Sequence, residues 1–237
     1  MRIEHTGASG PSIMIGIPSR SQMVYLGFAS SLMMLGLEIV KKGWTYTLRT
    51  SNNSCFVDCA RNQLVAAFMH SECTHLLMID DDMKFEPEKV IEMIEHDKDF
   101  ICAVGNLKSE NPRYACQPYT ESNGIPLTEN GLIWAKGVGG AFTIHKRVVF
   151  EKLMNRFTAL KCKTHDEKHN KYGYGLYHTS QPPDGYRTED QNFCDLWAEV
   201  GGKIWVYPDM NFGHFGTKEY KGNYHEYLMN LPQPVTV

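Results

Sequence analysis

The chain of 237 residues contains no apolar run long enough to cross a bilayer. Its most apolar stretch, residues 23–40, is interrupted by serines, glycines and Glu38, a pattern typical of a core helix. The first residues show no apolar segment of the kind found in secretory signals. A formal net charge of −3 gives no reason to expect nucleic acid or an anionic membrane as a partner. We therefore predict a globular protein of the cytoplasm with no transmembrane segment and no nucleic-acid partner.

The cysteines are few, and their spacing shows no pattern of disulfide pairs. Seven cysteines, an odd number, are scattered over the chain, which argues against a disulfide framework. Cys55 and Cys59 have helical spacing, but no second Cys/His pair with zinc-site spacing accompanies them. The sequence therefore predicts buried, reduced thiols.

Glycine motifs that bind phosphate are missing as well. The glycine-rich segment 137–140 is not followed by Gly-Lys-Ser/Thr, and no dinucleotide fingerprint follows the first predicted strand. The chain also has no internal repeat, low-complexity tract or interdomain linker. We therefore predict a single domain, residues 1–237, that is neither a P-loop protein nor a standard dinucleotide-binding protein.

The first half of this domain, residues 1–105, alternates strand and helix patterns. Strands are predicted at 12–17, 44–48, 76–79 and 100–104, and helices at 21–42, 56–70 and 87–96. This alternation predicts a parallel sheet between helical layers, an α/β fold. In the second half, 106–237, we predict extended segments at 114–119, 132–136, 141–145 and 204–207, helices at 147–160 and 188–200, and a short helix after Gly222.

Three consecutive aspartates, Asp80, Asp81 and Asp82, directly follow the apolar strand 76–79. The carboxyl ends of strands in an open α/β sheet are where ligands bind. Adjacent carboxylates repel each other, and Mg²⁺ or Mn²⁺ prefers such oxygen ligands. Asp80 and Asp82 have alternate strand spacing and can share one side, which leaves Asp81 to face elsewhere. The alternative is a solvated turn or a helix cap.

Two further segments of the first half are expected near the same edge. Pro18, Ser19 and Arg20 follow the first strand and suit a nucleotide base or a phosphate, although a plain β–α turn has the same composition. Arg61, in the predicted helix 56–70, can present a cation to a diphosphate or support a carboxylate. The alternative for Arg61 is an exposed surface arginine.

The second half contributes glycines, carboxylates and a histidine. Gly139 and Gly140 lie between two strands and permit close approach of a ligand ring. Glu189 and Asp190 stand at a helix N-terminus, where the helix dipole favours the ionised form and one of them can act as a general base. Stabilisation of the helix alone is the alternative. His214 can be a metal ligand, or simply a packed or surface histidine.

In this order and spacing, from Ile13 to Gly222, the motifs resemble those of nucleotide-sugar-dependent glycosyltransferases of the GT-A fold. The chain is similar to small viral and bacterial members that consist of the catalytic domain alone. The resemblance rests on the DxD-like triplet Asp80–Asp82, the nucleotide loop Pro18–Arg20, the "ARN" segment Ala60–Asn62, the late "ED" pair Glu189–Asp190 and the C-terminal His214. It implies a GT-A-like, Rossmann-type mixed sheet flanked by helices, with nucleotide binding in 1–105 and sugar and acceptor binding in 106–237.

The resemblance also implies a reaction: metal-dependent transfer of a sugar from a nucleotide-diphosphate sugar, most commonly a UDP-sugar, to a glycan or another hydroxyl acceptor. It implies that Mn²⁺ or Mg²⁺ binds Asp80, Asp82 and His214, and that Asp190 is the catalytic base with Glu189 in reserve. The implied donor-binding residues are Pro18, Ser19, Arg20, Arg61, Asp80, Asp81, Gly139, Gly140 and Lys218.

Several questions stay open at this point. The run from His214 to Lys218 also resembles an element of retaining members, so the stereochemical course is undetermined. The aromatic-rich segment 161–186 is expected to recognise the acceptor or act as a lid, or else to pack as an ordinary long loop. Two other functions compete: a sugar-phosphate nucleotidyltransferase, whose glycine- and lysine-rich loop is replaced by Pro18–Arg20, and a non-catalytic glycan- or nucleotide-binding module.

Overall fold

The computed structural model describes residues 10–20, 23–52, 55–183 and 185–231. The first half contains strands β1 (Ser12–Ser19), β2 (Thr45–Asn52), β3 (His75–Ile79), β4 (Met83–Lys84) and β5 (Phe100–Ala103), with helices α1 (Leu26–Lys41), α2 (Val57–His70) and α3 (Pro87–Glu95). The second half contains strands β6 (Cys116–Pro118), β7 (Thr128–Glu129), β8 (Leu132–Val138), β9 (Phe142–Lys146), β10 (Ile204–Tyr207), β11 (Asn211–Phe215) and β12 (Glu219–Asn223). Its helices are α4 (Arg147–Arg156), α5 (Glu189–Glu199) and α6 (Tyr224–Met229), with 3₁₀ turns at Thr158–Leu160 and Glu167–Tyr172.

The main sheet is mixed and has the strand order β2-β1-β3-β9-β5-β10-β8-β6, with β7 paired to β8. Strands β2, β1 and β3 are parallel, and β5 is parallel to β10. Strand β9 lies antiparallel between β3 and β5, and β8 is antiparallel to β10. A second sheet has the order β12-β11-β4. The predicted fold class, an α/β mixed sheet flanked by helices, is confirmed.

Apolar strands and a few local signals account for this architecture. Strand β3 is buried along its whole length and β1 along nearly all of it, as expected for strands covered on both faces. Helix α3 begins at Pro87, a favourable first helical residue. Helix α5 is capped by Thr188, whose backbone N–H donates to Gln191 Oε1 at 3.3 Å. Aromatic side chains such as Phe193 and Phe142 fill the core on the two faces of the sheet.

Several details differ from the predictions. Helix α1 begins at Leu26, and the expected cap Ser21 lies outside the described residues. The predicted helix 147–160 ends at Arg156 and continues only as a 3₁₀ turn. The second sheet was not predicted, because β4 has only two residues and β11 and β12 lack a clear apolar alternation. No helix in the described part of the chain is long and apolar enough to span a membrane.

The cysteine prediction is half correct. All seven cysteines are free thiols, and Cys73, Cys102 and Cys194 are buried. The expectation that the thiols are generally buried is wrong for Cys55, Cys59 and Cys162, which are exposed. Cys59 lies on the solvent side of α2 and Cys162 in the long segment after α4, where no periodic pattern predicts burial.

Candidate functional site

The aspartate triplet forms the turn between β3 and β4. The backbone N–H of Asp80 donates to the carbonyl of Ala141 at 3.0 Å, and the N–H of Met83 donates to the carbonyl of Asp80 at 3.3 Å. Strand β4 then pairs with β11 and places His214 opposite Met83. The N–H of Phe215 donates to the Asp82 carbonyl at 2.9 Å. The second sheet therefore holds His214 against the triplet across more than a hundred residues of sequence.

Asp82 and His214 face each other. His214 Nε2 lies 3.5 Å from Asp82 Oδ1, a buried oxygen without a hydrogen-bond partner among the described residues. His214 Nδ1 lies 2.8 Å from the carbonyl oxygen of Asn106. A carbonyl only accepts hydrogen bonds, so Nδ1 carries a proton and Nε2 is the nitrogen directed at the carboxylate. The arrangement calls for a positive charge, a proton or a metal ion, between Nε2 and Oδ1.

Lys108 supplies a second positive charge to Asp82. Its Nζ lies 2.6 Å from Asp82 Oδ2. Burial alone would raise the pKa of Asp82, but the contacts with His214 and Lys108 outweigh burial and hold this pKa below its ordinary value. Asp82 is therefore an ionised carboxylate at neutral pH.

The residues present fit a divalent ion. Two ligands that bind one ion at about 2.1 Å and near a right angle are roughly 3 Å apart, close to the 3.5 Å between Nε2 and Oδ1. Histidines that bind metals commonly donate their other ring N–H to a backbone carbonyl, as His214 does to Asn106. Across the described ranges, no group of three or more His, Cys, Asp or Glu side chains is arranged to hold a metal. An ion here would have two protein ligands and complete its shell with water and phosphate, which is common for Mg²⁺.

Asp80 contacts Arg61. Arg61 Nη2 lies 3.2 Å from Asp80 Oδ1, and Nη1 lies 2.7 Å from Glu189 Oε1. The Arg61 side chain is only 4% exposed, so the alternative of a surface arginine is wrong. Burial raises the pKa of both Asp80 and Glu189, and the guanidinium opposes that rise. Arg61 thus supports two carboxylates from the two halves of the sequence, and among the described residues Asp80, Asp82 and His214 are not arranged as a three-ligand metal group.

The two glycines form the floor beneath Arg61. A Cβ atom at Gly140 would lie 2.3 Å from Arg61 Nη1, and one at Gly139 would lie 3.0 Å from the Cβ of Ala115. The N–H of Gly140 donates to Asp190 Oδ2 at 3.1 Å. In this structure the glycines leave room for Arg61 and Ala115, a packing reason that differs from the expected approach of a ligand ring.

Asp190 is held at the start of α5. Its Oδ2 accepts from Gly140, and its Oδ1 accepts from the N–H of Gln191 at 2.8 Å and from the hydroxyl of Thr188. Both oxygens are therefore engaged, as is Oε1 of the neighbouring Glu189. The two sequence-predicted bases lie side by side, next to the glycine floor and Arg61.

An open cleft of about 210 Å³ lies beside the aspartates. Ser19 is buried there and its hydroxyl has no full hydrogen-bond partner among the described residues, whereas Arg20 is exposed. Burial raises the pKa of Asp81, and the nearby Ser19 hydroxyl works in the opposite direction. The cleft is lined by Pro18, Ser19, Arg20, Cys55, Val57, Ala60, Asp80, Asp81 and Asp82.

The sequence analysis does not single out Lys108, which contacts Asp82. Lys218 was expected to approach the donor phosphates, but its Nζ pairs with Glu110 at 2.7 Å on the surface. Lys108 takes the position next to Asp82 instead. The available signal was topological: Asn106 and Lys108 follow β5 immediately, so they emerge at the same sheet edge as the aspartates. Cys55 and Val57 line the cleft for the same reason: the start of α2 follows the carboxyl end of β2, at the same edge of the sheet.

Comparison with known proteins gives only distant likenesses. No family model matches the chain, and no curated protein matches it. Among solved structures, residues 1–349 of TarS from S. aureus align with 14% identity and a TM-score of 0.43, over 82% of this chain and 57% of that one. The mannose-1-phosphate geranyltransferase of Thermus thermophilus aligns with 10% identity and a TM-score of 0.44, over 94% of this chain and 80% of that one. The chain thus spans little over half of the TarS segment, and likenesses at TM-scores below 0.5 carry no argument about activity.

Proposed function

We propose that this protein is a metal-dependent glycosyltransferase. It transfers a sugar from a nucleotide-diphosphate sugar, a UDP-sugar in the first instance, to a glycan or another hydroxyl acceptor. The observation that supports this most directly is the Asp82–His214 pair beside the cleft. A buried carboxylate oxygen, without a donor in the described part of the chain, lies 3.5 Å from an imidazole nitrogen whose ring is anchored on a carbonyl. This pair suits a cation that also binds an anionic ligand in the cleft.

In the proposed reaction Asp82 and His214 hold Mn²⁺ or Mg²⁺, which supplies Lewis-acid stabilisation of the leaving diphosphate when bound. Lys108 lies next to the same position and adds a positive charge towards the phosphates. Ser19 and Asp81, neighbours on the wall of the cleft, bind the nucleoside. Asp80 orients Arg61 and does not serve as a ligand of the ion.

Asp190 remains the first choice for the base that accepts the proton of the acceptor hydroxyl, with Glu189 as the second. Burial raises the pKa of Glu189 and so makes it the stronger base in principle, but Arg61 occupies its Oε1. Asp190 sits between Gly140 and Thr188, and its hydrogen bonds fix the direction of the carboxylate. Comparing Asp190→Asn with Glu189→Gln in acceptor transfer distinguishes the two.

The function is tested by metal-dependent donor binding and donor hydrolysis. Wild-type protein is titrated with UDP-sugars with and without Mn²⁺, and release of free UDP is followed. Asp82→Asn is expected to lose the Mn²⁺-dependent thermal shift and hydrolysis while its circular dichroism stays unchanged. Asp209→Asn, an exposed aspartate paired with Lys89, is the matched control and should behave as wild type. Undiminished metal-dependent donor binding by Asp82→Asn would contradict the proposal.

The same assay separates the competing functions through their products. A sugar-phosphate nucleotidyltransferase would release pyrophosphate from a nucleoside triphosphate and a sugar phosphate, whereas a glycosyltransferase releases a nucleoside diphosphate. A binding module would show the thermal shift without turnover of any donor. Release of UDP together with a glycosylated acceptor is the result that the proposal requires.

A further inference from the structure

Helix α1 presents an apolar stripe to solvent. Leu26, Met33, Leu37 and Val40 are 86%, 74%, 55% and 40% exposed. The opposite face of the helix is the one that packs into the core, through residues such as Phe28. Leu26, Met33 and Val40 are spaced seven residues apart, so they align along the helix. A continuous exposed apolar stripe of this length marks an interaction surface.

Strand β2 is an open edge of the main sheet. Among the described residues it pairs only with β1, in an unbroken register over eight residue pairs. Edge strands are normally protected by proline, bulges or several charges. The segment Thr45–Asn52 contains no proline and a single charged residue, Arg49. Arg49–Ser51 border a cleft shared with Thr164, Asp166 and His169. The outer N–H and C=O groups of the described strand make no backbone hydrogen bond on this side.

The stripe and the open edge are neighbours. Gly36 of α1 packs on the edge strand, since a Cβ there would lie 2.6 Å from Tyr46 Oη. Residues turn about 100° each around a helix, so Met33 and Val40 lie within about 60° of Gly36, on its outer side. Leu48, two residues after Tyr46, faces the same side of the sheet and is 40% exposed. The apolar stripe therefore overhangs the free edge of β2.

We propose that a second copy of this chain docks on this surface, with β2 antiparallel to the partner's β2 and α1 against the partner's α1. Neighbouring strands are about 4.8 Å apart. Helix α1 packs on β2 at Gly36. With each helix axis about half a strand spacing inside its own β2, strand pairing would place the two helices about two strand spacings, or roughly 9.6 Å, apart. That is within the roughly 8–10 Å at which helices pack. A single two-fold axis would thus pair the two β2 edges and pack the two α1 stripes against each other.

The surface is complementary to itself, which favours a second copy over another partner. In an antiparallel helix pair centred on Met33, Leu26 meets the partner's Val40. In a strand pair centred on Leu48, this side chain meets the partner's Leu48 on the side where the helices lie. From their exposed fractions, the apolar side chains of the stripe, Met34 and Leu48 expose roughly 600 Å² per copy, so complete burial would remove ~1,200 Å² for the pair, the lower end of the range of stable interfaces.

The proposal is tested by the mass in solution, measured by light scattering and sedimentation equilibrium over a concentration series up to about 200 μM. We expect wild type at twice the chain mass of 27.0 kDa. Met33→Glu places two carboxylates face to face at the axis and should weaken association at least about tenfold. Met229→Glu, which alters a 69% exposed methionine on α6, is the matched control and should remain dimeric. Wild type at 27.0 kDa throughout, or Met33→Glu as dimeric as wild type, would overturn the proposal.

The register gives a second test. With the exposed Cys55, Cys59 and Cys162 replaced by serine, Leu48→Cys should form an intermolecular disulfide on mild oxidation, since counterparts at the axis are about 5 Å apart. Thr47→Cys, one residue away on the other face, should cross-link far less. Equal cross-linking of the two variants would refute the register. A protein that stays monomeric and binds anionic lipid vesicles through the stripe would contradict the proposal, because the partner of this surface would then be a membrane. Asp82→Asn should not change the mass, so this proposal stands or falls separately from the proposed function.

Discussion

Removing Arg61 should destabilise the fold far more than removing a surface arginine whose ion pair with a glutamate has the same length. Arg61→Met leaves Asp80 and Glu189, 30% and 13% exposed, without their counter-ion. Loss of one partner of a buried ion pair costs about 3–5 kcal/mol because the remaining charge is buried and unpaired. At about 2–4 °C per kcal/mol for a chain of this size, the midpoint of thermal unfolding should fall by roughly 6–20 °C.

Arg156 provides the matched control. Its Nη2 lies 2.7 Å from Glu199 Oε1, the same distance as Arg61 Nη1 to Glu189, but both side chains are at least half exposed. An exposed pair contributes about 0–1 kcal/mol, so Arg156→Met should be nearly silent. Denaturant unfolding of both variants measures the difference. Equal losses of stability, or a loss below about 1 kcal/mol for Arg61→Met, would refute the claim that burial makes the Arg61 pairs important.

The pH dependence gives this prediction a sign. The pKa values of Asp80 and Glu189 are raised in the fold above their ordinary values of 3.8 and 4.5. A raised carboxyl pKa means that stability falls as pH rises through the window between the ordinary and the raised value. Without Arg61 both values rise further. The stability gap between wild type and Arg61→Met should therefore be widest near pH ~7.5 and narrow towards about pH 4, and a gap that is constant with pH would contradict this electrostatic account.

Three further predictions concern single side chains. His145 is buried, and within the described ranges neither ring nitrogen has a hydrogen-bond partner. Burial lowers its pKa to about 3, so stability should drop by roughly 2 kcal/mol as pH falls from neutral to about 5. His145→Phe should remove this part of the acid sensitivity in denaturant unfolding. Gly140→Ala should displace Arg61 and cost about 1–3 kcal/mol, measured the same way. Lys108→Met should raise the pKa of Asp82. Because a competing ammonium is lost, binding of Mn²⁺ alone, measured by calorimetry, should tighten severalfold. Unchanged or weaker binding of Mn²⁺ would show that Lys108 does not compete for Asp82.

Much of the main sheet could be predicted from the sequence, because apolar runs such as 76–79 and helical periodicity are local signals. The rule that ligands bind at the carboxyl ends of parallel strands also predicts that Ser19 and Asp80–Asp82 lie near one another. What the sequence could not supply are contacts that join distant segments through short or weakly patterned strands. Strand β4 has only two residues, yet it brings His214 to Asp82.

The glycines and lysines illustrate a second limit of prediction. A glycine pattern indicates that space is needed without revealing what fills it, and at Gly140 the space is filled by Arg61. Likewise a lysine near a motif in sequence, Lys218, was a natural candidate for the phosphates. The loop after β5 instead directs Lys108 to Asp82 and leaves Lys218 to pair with Glu110. Side-chain partners of this kind depend on the paths of loops, and loops lack the periodic apolar pattern from which helices and strands are predicted.

The aspartate triplet shows how adjacent residues acquire different functions. Three neighbouring carboxylates repel one another, and two different cationic side chains, an arginine and a lysine, offset this repulsion. Asp80 is paired with Arg61, which is 4% exposed and held by Glu189 as well, so its counter-ion is fixed. Asp82 is paired with Lys108, whose side chain is 39% exposed on a flexible stem and can be exchanged for another cation. An arriving ion at Asp82 Oδ1 would therefore compete only with the charge of Lys108 on Oδ2, at the aspartate that also faces His214.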